Sequence, residues 1–157
     1  MFGTLSEEKE FKVPSSKAWE LFSTLELAKV LTGKVCEAID VVEGDGGVGT
    51  ILKITLKPGL GFEYYKEKFT KVDKENKIKE VEVVEGGFLD LGFNLYRIRF
   101  EIKEDPSDKT GGSSCIVKTT IEYDVKEEFA ANASFVSTEP LAAVLSITKE
   151  HLEKSAN

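Results

Sequence analysis

The sequence predicts an α+β domain in which an antiparallel sheet packs against a long C-terminal helix. Most of the chain consists of short segments in which apolar and polar residues alternate, as they do along half-buried strands. Turn-forming residues separate these segments at hairpin length, which favours antiparallel pairing. Over about the last thirty residues the apolar spacing changes to three or four positions, which is the period of a helix.

The elements follow one another along the chain. Residues 3–13 form the first predicted strand, and Pro14-Ser15-Ser16 begins one or two short helices that continue to about Leu31. The final helix is amphipathic, covers 129–152 and is interrupted near Pro140. Glycine-rich or polar turns separate six further strands, which makes seven in all: 35–43, 50–57, 62–72, 77–84, 93–103 and 114–123.

Length and charge restrict the possible partners. The chain has 157 residues, of which 41% are hydrophobic, and this fits a single domain over 1–157. Its net charge is −7, so its field repels phosphate and anionic lipid. We therefore expect neither nucleic acid nor a membrane surface as a partner.

The cysteine and histidine content argues against a disulfide or metal centre. Cys36 and Cys115 lie in strand-like segments without metal-site or redox spacing, so we expect two buried free thiols. With His151 as the single histidine, a metal site is not expected. The sequence lacks a long apolar run and a signal-peptide pattern at its start, which predicts a cytoplasmic protein.

A glycine-rich segment has the spacing of a dinucleotide-binding loop. Gly44, Gly46 and Gly49 fit GxGxxG, but such a loop must open a helix so that phosphate meets free backbone N–H groups. The residues that follow, 50–57, read as a strand. A tight turn between two strands is therefore favoured over a nucleotide site.

The strand 62–72 carries an unusual combination of residues on one face. Alternation places Tyr65, Glu67 and Phe69 together. If Phe69 is buried then Glu67 is buried too, and a buried carboxylate costs several kcal/mol unless it is paired or neutral. Glu67 therefore requires a partner or a function.

Lys79 is the predicted partner of Glu67. It lies on the next strand in phase with Val81 and Val83, which favours an inward orientation. The alternative is that Lys79 reaches solvent at the strand end while Glu67 pairs with a surface lysine. The following strand is predicted to turn inward Asn94, Tyr96, Ile98 and Phe100, and to leave Arg97 and Arg99 as solvated charges.

Several segments resemble the plant pathogenesis-related class 10 (Bet v 1-like) family. The glycine loop 43–50 resembles that of the whole family. Similarity to its norcoclaurine synthase and norbelladine synthase branch is found in 65–69, 84–92, 114–118, 122–123 and 128–135. The resemblance implies a helix-grip fold, in which a seven-stranded antiparallel sheet wraps around a long C-terminal helix and encloses a large apolar cavity.

The same resemblance implies an activity and the residues that perform it. Norcoclaurine synthases condense dopamine with an arylacetaldehyde in a Pictet–Spengler reaction that uses no metal or organic cofactor. Their catalytic tyrosine, glutamate and lysine correspond to Tyr65, Glu67 and Lys79. Their catalytic aspartate corresponds to Ile98, which is a departure that norbelladine synthases share in having an apolar residue there.

The resemblance also implies the substrate-binding walls and the partners. Carried over in this way, the walls comprise Ile54, Phe69, Ile98, Val144 and Thr148. The expected partners are a small aromatic amine and an aldehyde such as 4-hydroxyphenylacetaldehyde, bound by a monomer or weak dimer. Two alternatives stay open: a non-catalytic carrier of hormones, flavonoids or alkaloids, and an isomerase or other alkaloid-processing catalyst.

Overall fold

One antiparallel sheet of seven strands organises the chain, whose computed structural model describes residues 1–59 and 61–155. The spatial order of the strands is β1-β7-β6-β5-β4-β3-β2, so β2 to β7 pair as consecutive hairpins and β1 adds beside β7. The strands are β1 (Phe2–Phe11), β2 (Ala38–Glu43), β3 (Ile51–Thr55), β4 (Tyr64–Asp73), β5 (Ile78–Gly86), β6 (Phe93–Glu104) and β7 (Cys115–Val125). The predicted strand number and pairing are confirmed.

The helices lie after β1 and at the C-terminal end. They are α1 (Ser15–Phe22), α2 (Glu26–Leu31) and α3 (Glu139–Ser155), with 3₁₀ helices at Gly87–Leu91 and Glu127–Phe135. Leu141, Leu145 and Thr148 form the buried stripe of α3, which faces the sheet. The predicted α+β class is therefore confirmed. In the described ranges, no helix is both long enough and apolar enough to span a membrane.

The start of the C-terminal helix differs from the prediction. Phe129 to Phe135 belong to a 3₁₀ helix, Val136 is extended, and α3 begins only at Glu139. Pro140 is the second residue of α3, where its missing N–H removes no helical hydrogen bond, so it starts the helix instead of interrupting it. The helix-like spacing of apolar residues gave the wrong start of the helix, because Ala133, Val136 and Leu141 pack on one apolar cluster although they do not belong to one helix.

The glycine-rich segment is a turn between β2 and β3, as predicted. Gly46 donates a backbone hydrogen bond to Thr50 Oγ1 at 2.8 Å, which closes the loop. Gly44 has a φ of +93°, and a Cβ there would lie 2.6 Å from the Thr50 Cα. The turn leads into a strand, so the nucleotide-binding interpretation is wrong.

The predicted inward orientation of Asn94 is wrong. The pairing of β6 with β7 changes register between Phe93 and Leu95, which reverses the alternation at that end of the strand. Phe93 is therefore buried, while Asn94 is exposed and donates to Asp124 Oδ2 at 3.2 Å. From Tyr96 onward the predicted alternation holds.

Arg97 and Arg99 are not ordinary solvated charges. Both lie on the outer face of the sheet between acidic side chains of β5 and β7. Arg97 Nε lies 3.4 Å from Glu80 Oε2, although the two are not aligned as a hydrogen bond, and Arg97 Nη1 lies 3.4 Å from Glu122 Oε1. Arg99 contacts the same two carboxylates, so the four side chains form a network across three strands.

Candidate active site

A cavity of about 600 Å³ lies between the inner face of the sheet and the helices α2 and α3. Most of its lining is apolar, and Phe135, which lines it while being 62% exposed, marks an opening to solvent. The lining includes seven of the predicted site residues: Tyr65, Glu67, Lys79, Ile54, Phe69, Ile98 and Val144. The fold therefore brings these side chains, from five separate elements, around one space.

Thr148 is the predicted wall residue that does not line the cavity. It is fully buried on the inner stripe of α3. Its hydroxyl donates to the Val144 carbonyl at 2.7 Å and lies 3.2 Å from the Leu145 carbonyl. The Thr148 hydroxyl is thus hydrogen-bonded within its own helix, and the side chain packs in the core instead of lining the cavity.

Lys79 lines the cavity and is buried, with 2% of its surface exposed. Its ammonium donates to the Phe22 carbonyl at 3.0 Å and lies 3.8 Å from the centroid of the Phe69 ring. Phe22 ends α1, where unpaired carbonyls and the negative end of the helix dipole favour a cation. The alternative in which Lys79 extends to solvent is therefore wrong.

The surroundings of Lys79 bring its titration towards neutral pH. Burial disfavours the ammonium and lowers the pKa of Lys79 from 10.5 to about 8, with the charge of Glu67 acting in the opposite direction. A lysine of this kind exchanges its proton far more readily near pH 7 than a solvated one.

Glu67 lies on the inner face of β4, opposite Leu52 of β3 and Val83 of β5. It keeps some accessible surface because it faces the cavity, yet it is deep inside the protein. This desolvation raises the pKa of Glu67 from 4.5 to about 7, although the ammonium of Lys79 opposes the shift. Near neutral pH the protonated and the ionised forms of Glu67 are therefore both populated.

Glu67 and Lys79 influence one another without a direct ion pair. Lys79 is paired with Val72 on β4 and Phe100 on β6, so it lies well along the sheet from the Glu67 position. Their side chains converge on the cavity and shift each other's pKa, but their charged atoms are more than 4.0 Å apart. The predicted partnership is therefore electrostatic and does not include a direct ion pair.

Tyr65 is the second residue of β4, where it pairs with Gly86 of β5, and its side chain lines the same cavity. The backbone of Gly87 approaches it so closely that a Cβ there would lie 3.1 Å from the Tyr65 Cβ. Burial, with the neighbouring charge of Glu67, holds the pKa of Tyr65 well above its ordinary value of 10.0. Its hydroxyl makes no hydrogen bond to any residue in the described ranges, so it is a neutral group available to a ligand.

Sequence reasoning did not select three further cavity residues as site residues. Tyr96 and Phe88 stack with a centroid distance of 4.5 Å and an interplanar angle of 7°, and both line the cavity. Cys36 is a free thiol, 1% exposed, that also lines it. The alternation along β6 already turned Tyr96 inward, but no local signal places Phe88 and Cys36, which lie outside the sheet.

Together these groups can transfer protons in an apolar enclosure. A carboxyl group of pKa about 7 can accept a proton, and an ammonium of pKa about 8 can donate one. Ile98, at the inward position between Tyr96 and Phe100 on β6, adds no polar atom. The arrangement is suited to acid–base chemistry on a small, largely apolar molecule.

Comparison with known proteins agrees with this geometry. Norbelladine synthase of Narcissus pseudonarcissus is 46% identical over 162 aligned residues, which cover 100% of this chain and 96% of that protein. S-norcoclaurine synthase 2 of Papaver somniferum is 36% identical over 92% of this chain, which spans 64% of that relative's length.

Solved structures and a family model add to these similarities. The X-ray structure of norcoclaurine synthase from Thalictrum flavum in complex with dopamine and hydroxybenzaldehyde superposes with a TM-score of 0.83 at 36% identity, covering 98% of this chain and 88% of that one. The model of the pathogenesis-related protein Bet v 1 family matches residues 1–154. The chain therefore belongs to the Bet v 1 family, and it is similar over its length to norbelladine and norcoclaurine synthases.

Proposed function

We propose that the protein is a cofactor-independent enzyme that condenses a phenethylamine such as dopamine with an aromatic aldehyde such as 4-hydroxyphenylacetaldehyde. The observation that carries the proposal is the placement of Tyr65, Glu67 and Lys79 around one apolar cavity, with Glu67 and Lys79 titrating near neutral pH. The names of the similar proteins, and the dopamine and hydroxybenzaldehyde held by one of them, support the same substrate class.

The proposed reaction uses each group once. The amine adds to the aldehyde to give a carbinolamine, and the Lys79 ammonium protonates its hydroxyl so that water leaves and an iminium forms. Glu67 then removes a catechol proton to activate ring attack, or takes the ring proton whose loss restores aromaticity. Tyr65 orients the substrate through its hydroxyl. Enclosing both reactants adds the advantage of proximity.

With isoleucine at position 98, the iminium has two possible fates. Without a carboxylate at this position, Glu67 is the one acidic side chain that lines the cavity within the described residues. The reaction proceeds to the cyclised Pictet–Spengler product or ends at the imine, as the similarity to norbelladine synthase suggests. A second candidate function is non-catalytic binding of small aromatic ligands, which the size and apolar lining of the cavity favour.

A product assay separates these functions. The purified protein is incubated with dopamine and 4-hydroxyphenylacetaldehyde, and the cyclised product is resolved on a chiral column. A parallel sample is reduced with borohydride to trap the imine as a secondary amine. We expect one product in enantiomeric excess, or trapped imine, formed faster than in the protein-free reaction. Racemic product and imine at the uncatalysed rate would remove the synthase function.

Substitutions test the assigned roles. Lys79→Ala should abolish turnover with the circular dichroism spectrum unchanged, and Glu67→Gln should slow a proton-transfer step by about a hundredfold. Lys71→Ala is the matched control, because Lys71 is 48% exposed on the neighbouring strand and contacts Glu80 at 4.0 Å. If the protein is a non-catalytic ligand carrier, these variants would change its affinity for the ligand, and neither they nor the wild type would accelerate the condensation.

We propose that residues 1–157 act as a single domain, in the cytoplasm, as a monomer or weak dimer. Two buried free cysteines fit a reducing compartment. Light scattering across a concentration series tests the oligomeric state, and imaging of a fluorescent fusion tests the location.

A further inference from the structure

Tyr96 is a polar residue of the cavity to which the proposed reaction assigns no role. It is 9% exposed, and its ring is fixed on one side by stacking on Phe88 at 4.5 Å. The residue also belongs to a buried apolar cluster with Val83, Phe93 and Ile121. The position of its hydroxyl is therefore set by packing before any ligand binds.

The hydroxyl of Tyr96 has no partner within the part of the chain that the structure describes. Its oxygen is not sealed by protein atoms, and the residue lines the cavity. Leaving a buried hydroxyl without a hydrogen bond costs about 1–3 kcal/mol. Because most buried tyrosine hydroxyls are paired, this one is available to a molecule in the cavity.

The position of Tyr96 relates it to Ile98 and Glu67. It lies two residues from Ile98 on the same inner face of β6, so it offers a polar atom on the strand where Ile98 has none. Glu67 on β4 pairs with Val83 of β5, and β6 lies on the other side of β5. Tyr96 and Glu67 thus flank β5 at a Cα separation of about 10 Å, which is two strand spacings.

The side chains of Tyr96 and Glu67 both line the cavity that would hold the substrate ring. Burial and the charge of Glu67 raise the pKa of Tyr96, so its hydroxyl stays protonated and can donate a hydrogen bond. If Glu67 removes a catechol proton, the catechol must lie beside Glu67, and its ring oxygens then come within reach of Tyr96.

We propose that Tyr96 is a substrate-binding residue whose hydroxyl donates a hydrogen bond to a ring oxygen of the phenolic amine. The inference rests on the proposed function, because it takes the occupant of the cavity to be that amine. Through this hydrogen bond, which Ile98 cannot make, Tyr96 would select hydroxylated phenethylamines over unsubstituted ones.

The test is Tyr96→Phe, which removes one oxygen and keeps the ring on Phe88. Dissociation constants for dopamine and for phenethylamine, which has no ring hydroxyl, are measured by calorimetry, together with KM where turnover is seen. Loss of one hydrogen bond should weaken dopamine binding about tenfold and leave phenethylamine binding unchanged. Equal loss for both amines would indicate a packing role and overturn the inference, as would unchanged dopamine affinity.

Tyr64→Phe is the matched control. Tyr64 precedes Tyr65 on β4, and its hydroxyl donates to Glu85 at 2.8 Å on the exposed side of the sheet. This variant should bind both amines as the wild type does. Wild-type binding of dopamine without turnover would overturn the proposed function alone, since the affinity difference still decides the role of Tyr96. Absence of dopamine binding to the wild type would overturn both.

Discussion

At the scale of single residues, burial decides the chemistry of Glu67 and Lys79. On the outside of the sheet, a glutamate and a lysine would stay charged at neutral pH. Inside the cavity, desolvation moves the pKa of Glu67 up to about 7 and the pKa of Lys79 down to about 8. Keeping either charge in this environment costs stability, as is common for functional groups.

Glu67→Gln should reduce the dependence of stability on pH. The pKa of Glu67 is about 7 when folded against an ordinary 4.5, so between these values the folded state holds more protons. The contribution of Glu67 to the free energy of unfolding therefore falls as pH rises from 4.5 to 7, by up to a few kcal/mol. The variant should lose this decline in denaturant titrations at the two pH values.

In the wild type Lys79 adds little to this profile, because a folded pKa of about 8 leaves the lysine largely protonated below pH 7. In Glu67→Gln the pKa of Lys79 falls further, because the charge of Glu67 raises it, so the comparison is repeated in a Lys79→Met background. Glu63→Gln serves as the control, since Glu63 is an exposed carboxylate just before β4. Parallel pH profiles for the wild type and Glu67→Gln would show that Glu67 is charged throughout.

At the scale of elements, junctions position the site. The carbonyl at the end of α1 holds the ammonium of Lys79, and the 3₁₀ helix Gly87–Leu91 places Phe88 against Tyr96. The second 3₁₀ helix, Glu127–Phe135, is tied to the first, because Asn132 Nδ2 donates to the Leu91 carbonyl at 2.9 Å. These contacts join segments that are far apart in the chain.

Gly92→Ala should damage the junction between these two helices. Gly92 has a φ of +86°, and a Cβ would lie 2.3 Å from a ring atom of Phe129 and 2.7 Å from its Cβ, so turning the ring does not relieve the overlap. Backbone strain and overpacking together should lower the free energy of unfolding by about 3 kcal/mol. Denaturant unfolding monitored by fluorescence gives the value.

Gly33→Ala separates strain from overlap. Gly33 has a similar φ of +83°, but a Cβ there would meet no atom within 4 Å. It should therefore cost only about 1 kcal/mol, the penalty of a left-handed backbone. Equal losses at both glycines would mean that the contact with Phe129 contributes nothing.

At the scale of the whole molecule, the two faces of the sheet have different tasks. The inner face encloses a cavity of about 600 Å³ and buried titratable groups, which lower stability. The outer face carries the ion-pair network of Glu80, Arg97, Arg99 and Glu122 across β5, β6 and β7. The side chains of this network are between 15% and 28% exposed, so solvent screens them only in part.

Arg97→Met should lower stability without changing the reaction. Two partly buried carboxylates, Glu80 and Glu122, would each lose a partner, and we expect a loss of about 2 kcal/mol that shrinks at high salt. The rate of condensation should be unchanged because the network faces away from the cavity. Lys29→Met is the control: its pair with Glu26 is well exposed, so the loss should be under about 0.5 kcal/mol. Equal effects would contradict a cooperative network.

The sequence by itself determined what depends on local pattern. Alternation turned Tyr65, Glu67 and Phe69 inward, and it did so again for Lys79 with Val81, because side chains along a strand point to opposite faces. The same rule failed at Asn94, where a register shift reverses it, and helical spacing failed around Pro140. Neither irregularity has a sign in the spacing of apolar residues.

Only the tertiary structure decided how the inward groups relate to one another. Lys79 hydrogen-bonds Phe22 at a distance of 57 residues in the chain, and the desolvation that shifts the pKa of Glu67 comes from the closing of the whole cavity. Thr148 and Val144 both belong to α3. Packing places Thr148 in the core, with its hydroxyl hydrogen-bonded within the helix, and Val144 at the cavity wall. Distances, burial and electrostatic coupling arise from contacts between remote segments, and a local pattern therefore does not contain them.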